Sequence, residues 1–91
     1  MTDLLQGQVC LVTGATRGIG RAIAMIFARE GGVVYGTATS ETGASAIQTG
    51  FEEAGLPGFG RVLDVSDGDQ VKELVAAIGA DSGAPLVVVN N

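Results

Sequence analysis

The sequence contains no histidine and no tryptophan, and only one cysteine (Cys10), one tyrosine (Tyr35) and one lysine (Lys72) in 91 residues. Without histidine the chain lacks the commonest general base and the commonest transition-metal ligand. A lone cysteine cannot pair within the chain, so zinc centres, histidine-dependent triads and disulfide frameworks are excluded. Basic residues are scarce as well: five Lys and Arg stand against ten Asp and Glu, a net charge of −5. Such a balance makes nucleic acid and anionic membranes poor partners. Long apolar runs are also missing. The longest, Ala22 to Ala28, falls far short of the roughly 20 residues a membrane helix needs. The first basic residue is Arg17, so no charged signal-peptide segment precedes an apolar stretch. A cytoplasmic chain is therefore expected.

What is present is apolar material in short pieces: 46% of residues are hydrophobic and 16% charged, too apolar for a disordered protein. Four runs recur, Val9-Cys10-Leu11-Val12, Val33-Val34-Tyr35, Val62-Leu63 with Val65, and Leu86-Val87-Val88-Val89. None alternates strictly between apolar and polar, and valine dominates, the pattern of strands covered on both faces of a parallel sheet. Parallel strands require helical crossovers. Ile19, Ala22, Ile23, Ile26 and Phe27 form one helical stripe ended by Gly31-Gly32. Ala44, Ile47, Phe51 and Ala54 form a thinner one, closed by Gly55 and Pro57. Val71, Leu74, Val75 and Ile78 form a third, preceded by Ser66, a candidate cap for the amide of residue 69.

The order strand, helix, strand, helix, strand, helix, strand predicts an α/β fold, a Rossmann-type doubly wound parallel sheet. Right-handed crossovers place its strands in the order 3-2-1-4, and ligands of such sheets bind at the carboxyl ends of the strands by the switch point. Residues 1–91 read as a single domain, and one that is incomplete, because the last valine run belongs beside further strands.

At the end of the first run stands Thr13-Gly14-Ala15-Thr16-Arg17-Gly18-Ile19-Gly20, a G-x-x-x-G-x-G turn leading into the first helix. Glycine lets the chain turn sharply and lets backbone amides approach a phosphate, while the helix start offers unpaired N–H groups to an anion. An ordinary glycine-rich turn has the same composition, but the position between a buried strand and a helix is that of a dinucleotide site. About twenty residues further on, where an NAD-binding protein places Asp or Glu for the ribose 2′-hydroxyl, Thr37, Ala38, Thr39 and Ser40 occur instead. Together with Arg17 they suit a 2′-phosphate, so NADP(H) is the expected cofactor; a solvated arginine and a helix cap would use the same residues. Asp64, which interrupts the third run, can accept a hydrogen bond from an adenine amino group or simply cap the third helix. Asn90 and Asn91 can bond a ribose or tie strand ends together. Cys10 reads as a small core residue.

T-G-A-T-R-G-I-G at 13–20, L-D-V at 63–65 and V-N-N at 89–91, in that order, resemble the short-chain dehydrogenase/reductase family, and residues 35–44 resemble its NADPH-dependent 3-oxoacyl-acyl-carrier-protein reductases. The resemblance covers the whole chain but only the amino-terminal part of a family member. It implies that Gly14, Ala15, Thr16 and Arg17 wrap the adenosine phosphate end and that Gly18, Ile19 and Gly20 line the pyrophosphate turn. Thr39 joins Arg17 at the 2′-phosphate, Asp64 and Val65 hold the adenine, and Asn90 contacts the cofactor near its ribose. It also implies a homotetramer, a substrate bound to acyl carrier protein and a place in fatty acid biosynthesis for the complete protein.

The family's catalytic Ser, Tyr and Lys are not matched here: Tyr35 and Lys72 lack the Tyr-x-x-x-Lys spacing. No catalytic residue is therefore expected in this chain, which by itself should bind cofactor without turnover. Three alternatives stay open: a relative acting on another carbonyl, a non-catalytic nucleotide-binding module, and a structural or regulatory protein.

Overall fold

The computed structural model describes residues 5–16, 18–83 and 87–89. Four strands, β1 (Val9–Val12), β2 (Val33–Ala38), β3 (Gly58–Val62) and β4 (Val87–Val89), alternate with three helices, α1 (Gly18–Arg29), α2 (Glu41–Glu53) and α3 (Gly68–Ser82). All strand pairings are parallel and the order is β3-β2-β1-β4, as expected of a Rossmann-type sheet. Leu11 stands between Tyr35 of β2 and Val88 of β4, so β1 is central and the switch point lies between β1 and β4.

Alternate strand residues build two cores. Cys10, Val12, Val34 and Ala38 pack with Ala24 and Ala28 of α1 and Ile47 and Phe51 of α2. Val9, Leu11 and Tyr35 face the other way, against Ile78 and Leu74 of α3. This is why the valine runs show no alternation: both faces of the sheet are covered. Tyr35 satisfies its hydroxyl inside the second layer, 2.6 Å from Ser82 Oγ, and stacks on Phe59 with ring centroids 4.8 Å apart.

Three expectations require correction. The buried ridge of α1 is Gly20, Ala24 and Ala28, whereas Ile19 and Ile26 are 72% and 52% exposed. Small side chains let the helix lie close on the sheet, while Ile23 and Phe27 of the expected stripe pack partly buried against the edge of the same core. Next, β3 runs over Gly58–Val62 and ends before Leu63 and Asp64, so the run Val62-Leu63-Val65 straddles the strand end. Its earlier half carries no apolar run, because Gly58 and Gly60 flank Phe59. A Cβ at Gly60 would collide with the backbone carbonyl of Ala44, which sets how closely α2 can lie on the sheet. Finally, the cap of α3 is Asp67, whose carboxylate accepts from the N–H groups of Asp69 and Gln70, and Ser66 is engaged elsewhere.

α2 and the glycine stop of α1 meet expectation more closely. α2 buries Ala44, Ile47 and Phe51 and is capped by Ser40, whose Oγ accepts from the Gly43 N–H at 3.1 Å. α1 ends at Gly31, φ +93°, where the Gly31 and Gly32 N–H groups bond back to the carbonyls of Ala28 and Phe27, as a glycine stop does. Among the described residues no helix is long and apolar enough to cross a membrane, and no group of three His, Cys, Asp or Glu could hold a metal ion.

Candidate dinucleotide site

The carboxyl ends of β1, β2 and β3 converge on a cleft of about 310 Å³ lined by Thr13, Gly14, Thr16, Thr37, Ala38, Thr39, Ser40, Leu63 and Val65. Three short connections supply it, each leading from a strand into the amino terminus of a helix, which is where unpaired backbone donors are found. A larger groove of about 350 Å³ lies between α1 and α2, away from these strand ends, and shares only Ala15 and Thr16 with the first connection. The cleft at the strand ends is the one a doubly wound sheet offers to a ligand.

The first connection is held from both sides. Thr13 donates its N–H to Val89 of β4 at 3.0 Å, and Ala15 donates its own to Thr37 of β2 at 2.9 Å. Gly14 turns the chain between them at φ +62°, and Gly18 enters the helix at φ +64°, conformations that residues with a Cβ adopt at a cost. Ala15 is buried at 2% exposure, packed over β2, where Gly36 leaves room for it. It forms the floor under the turn, and its amide is already used. Thr16 is exposed on the rim, Ile19 is turned outward and Gly20 lies buried against the sheet. The glycine-rich turn is thus divided between residues that support it, Ala15 and Gly20, and residues at its surface, Gly14, Thr16 and Gly18.

At the end of β2, Thr39 is exposed beside the capping Ser40, and the first carboxylate to follow is Glu41, in the first turn of α2. Beyond β3, the Leu63 N–H bonds to Ala38 and brings Asp64 and Val65 to the same end of the sheet. Asp64 is exposed, and its Oδ1 accepts two hydrogen bonds, from Ser66 Oγ at 2.6 Å and from the Ser66 N–H at 2.9 Å. These hold its carboxyl below the usual carboxylate range. The Asp64 N–H donates to Gln70 Oε1 at 3.1 Å, and Gln70 Nε2 donates to Asp67 Oδ2 at 3.2 Å. Arg17 and Asn90 lie outside the described residues.

Gly14, Thr16, Thr39 and Val65 therefore meet around one cleft, with Asp64 adjoining through Val65. Ser40 stands in that lining beside Thr39, as expected, whereas sequence reasoning missed Leu63 as a wall of the cleft and missed both partners of Asp64. Ser66 carried a local signal, since an aspartate commonly accepts from the residue two positions on. Gln70 carried none, for its contact depends on the turn that brings α3 back over Asp64.

A family model described as short chain dehydrogenase matches residues 8–91. The chain belongs to the short-chain dehydrogenase family. Similar curated proteins include the 3-oxoacyl-acyl-carrier-protein reductase of Pseudomonas aeruginosa, 52% identical over 87 residues, which covers 96% of this chain and 35% of that protein. Those of Vibrio harveyi, 46% identical over 87 residues, and Escherichia coli, 45% identical over 86, cover 96% and 94% of this chain and 34% of each relative. The chain spans about a third of the length of the curated relatives it matches. Members of the short-chain dehydrogenase family are oxidoreductases that use a nicotinamide cofactor, and the cleft lies where this fold holds one.

Proposed function

We propose that this chain binds NADP(H) and forms the cofactor-binding part of a 3-oxoacyl-acyl-carrier-protein reductase. The observation that carries the reading is the cleft itself. Gly14 turns beneath it, hydroxyls of Thr39 and Ser40 line the end of β2, and no carboxylate stands in that lining. A ribose 2′-phosphate meets no negative charge there, and Arg17 in the neighbouring turn supplies a positive one. The Val65 N–H donates to no group among the described residues, and Asp64 Oδ2 accepts from none, a donor and an acceptor side by side for the edge of an adenine.

When bound, NADPH supplies a hydride to a carbonyl carbon. The chain's own part is to hold the adenosine end by Asp64, Val65, Thr39 and Arg17, and to seat the pyrophosphate over Gly14, Gly18 and the start of α1. Asn90 contributes near the ribose. Proton delivery to the carbonyl oxygen falls to none of these residues. Tyr35 is buried with its hydroxyl on Ser82, and Lys72 lies in α3. The 91 residues are therefore a binding unit without turnover. Reduction of 3-oxoacyl to 3-hydroxyacyl thioesters on acyl carrier protein, assembly as a homotetramer in the cytoplasm and a role in fatty acid biosynthesis belong to the complete protein.

Titration of the chain with NADPH and NADH, followed by nucleotide fluorescence, tests the reading. Binding of NADPH at least tenfold tighter than NADH is expected. Equal affinity would remove the NADP assignment, and no binding of either would remove the nucleotide site. For a polypeptide extended to the length of the relatives, failure to oxidise NADPH in the presence of an acetoacetyl thioester would remove the reductase assignment.

A further inference from the structure

The connection from β3 to α3 is more heavily tied than its exposure requires. Asp64 carries three contacts at once: Ser66 holds Oδ1 through both its hydroxyl and its N–H, at 2.6 and 2.9 Å, and Gln70 holds the Asp64 N–H at 3.1 Å. A fourth bond, from the Asp67 N–H to the Asp64 carbonyl at 3.0 Å, closes the turn. Gln70 also bridges to the carboxylate that caps α3, so the turn and the helix start move together. A solvated surface aspartate pays side-chain entropy for such ordering and gains little from it. The ordering has a use if one carboxylate oxygen must stand ready for a ligand.

We propose that Ser66 and Gln70 are the positioning residues of the adenine pocket, Ser66 by occupying Oδ1 of Asp64 so that Oδ2 is left for the adenine amino group, and Gln70 by fixing the backbone so that the adjacent Val65 N–H is left for the ring. The inference rests on the nucleotide-binding reading above. Neither residue touches the nucleotide; each acts through Asp64 or its backbone. Ser66 makes the Asp64 carboxylate an acceptor with a single open oxygen, and adenine presents an amino donor beside a ring-nitrogen acceptor. Hypoxanthine reverses both, with a carbonyl oxygen and a ring N–H. A fixed Asp64–Val65 pair distinguishes the two bases, whereas a carboxylate free to rotate distinguishes them poorly.

The test compares binding of NADPH with that of its hypoxanthine counterpart, by calorimetry, in the wild-type chain and in Ser66→Ala, Ser66→Thr and Gln70→Ala, with each variant's melting temperature recorded alongside. The wild-type chain is expected to prefer adenine by about tenfold or more, as the loss of a hydrogen bond to a charged group implies. The preference should shrink several-fold in Ser66→Ala and Gln70→Ala and return in Ser66→Thr, which keeps the hydroxyl and the N–H. A preference undiminished in Ser66→Ala and Gln70→Ala, in chains that still bind NADPH, overturns the positioning roles and leaves the nucleotide site standing. A loss that Ser66→Thr does not restore overturns the role of the hydroxyl. Absence of NADPH binding by the wild-type chain overturns the site and the inference together.

Discussion

The Ala15 N–H donates to the Thr37 carbonyl at 2.9 Å, and this bond fastens the glycine turn after β1 to the neighbouring strand. It places the Ala15 methyl over Gly36, where a Cβ would come within 3.0 Å of both Ala15 Cβ and Ile47 Cγ2. The height of the turn above the sheet is thus set by the absence of a side chain on β2.

Three glycines should rank by what surrounds them. At Gly60 an added Cβ meets the backbone of α2, which cannot give way as a side chain can, so Gly60→Ala should lose the most stability, beyond about 2 kcal/mol. Gly36→Ala meets only side-chain carbons and should cost about 1 kcal/mol. Gly79, in α3 with nothing within 4 Å, should gain about 0.5–1 kcal/mol as Ala. Urea unfolding of the three variants checks the order; a Gly60→Ala chain as stable as the parent would contradict the packing of α2 on β3.

Replacing Arg17 by Ala removes one charge-assisted hydrogen bond to the proposed 2′-phosphate, a contribution of about 1.5–3 kcal/mol. NADPH affinity should fall by about tenfold to a hundredfold, with NADH affinity little changed. If the two nucleotides weaken alike, Arg17 serves the pyrophosphate and not the 2′-phosphate.

The Asp64 carboxyl should titrate below the ordinary aspartate value, because both Ser66 donors favour its charged form. The sign follows from linkage: a group depressed in the folded state adds stability above the unfolded value, near 4, and that contribution is lost as pH falls through the lower folded value. Carboxyl-carbon NMR should show the Asp64 transition move upward in Ser66→Ala. An unmoved transition would mean that the hydroxyl bond is not made in solution.

Asp67→Ala removes the side-chain acceptor of two amides at the start of α3 and should cost about 1 kcal/mol. Ser66→Ala should cost α3 less, since Ser66 bonds to Asp64 and not to the helix amides. Denaturant unfolding of the pair decides which residue is the cap, and the reverse order would restore Ser66 to that role.

Cys10 is fully buried, its thiol raised above the ordinary range by desolvation and donating to the Gln8 carbonyl at 3.7 Å. A thiol held protonated reacts slowly, so a disulfide reagent at pH 8 should label Cys10 only in unfolding concentrations of guanidinium. Rapid labelling of the native chain would mean that β1 opens readily.

Much of the architecture was written along the chain. Valine-rich runs between helical stripes dictate a parallel sheet covered on both sides, and the glycine turn between β1 and α1 marks the ligand end, because both are local consequences of burial and backbone freedom. Which apolar residues of α1 meet the sheet was not legible. Periodicity detects a stripe, but the close approach that selects Gly20, Ala24 and Ala28 over Ile19 and Ile26 depends on the strands beneath. The extent of β3 was hidden for a related reason: its glycines are set by the nearness of α2, a neighbour distant in sequence. At the site, residue types named Asp64 and Val65, yet the bonds that order them run to Ser66 and Gln70. The sequence by itself determined the order of elements, the family and the position of the glycine turn. Only the tertiary structure decided which faces are buried and which polar groups remain open to a ligand, because both depend on contacts made across the sheet or across a turn.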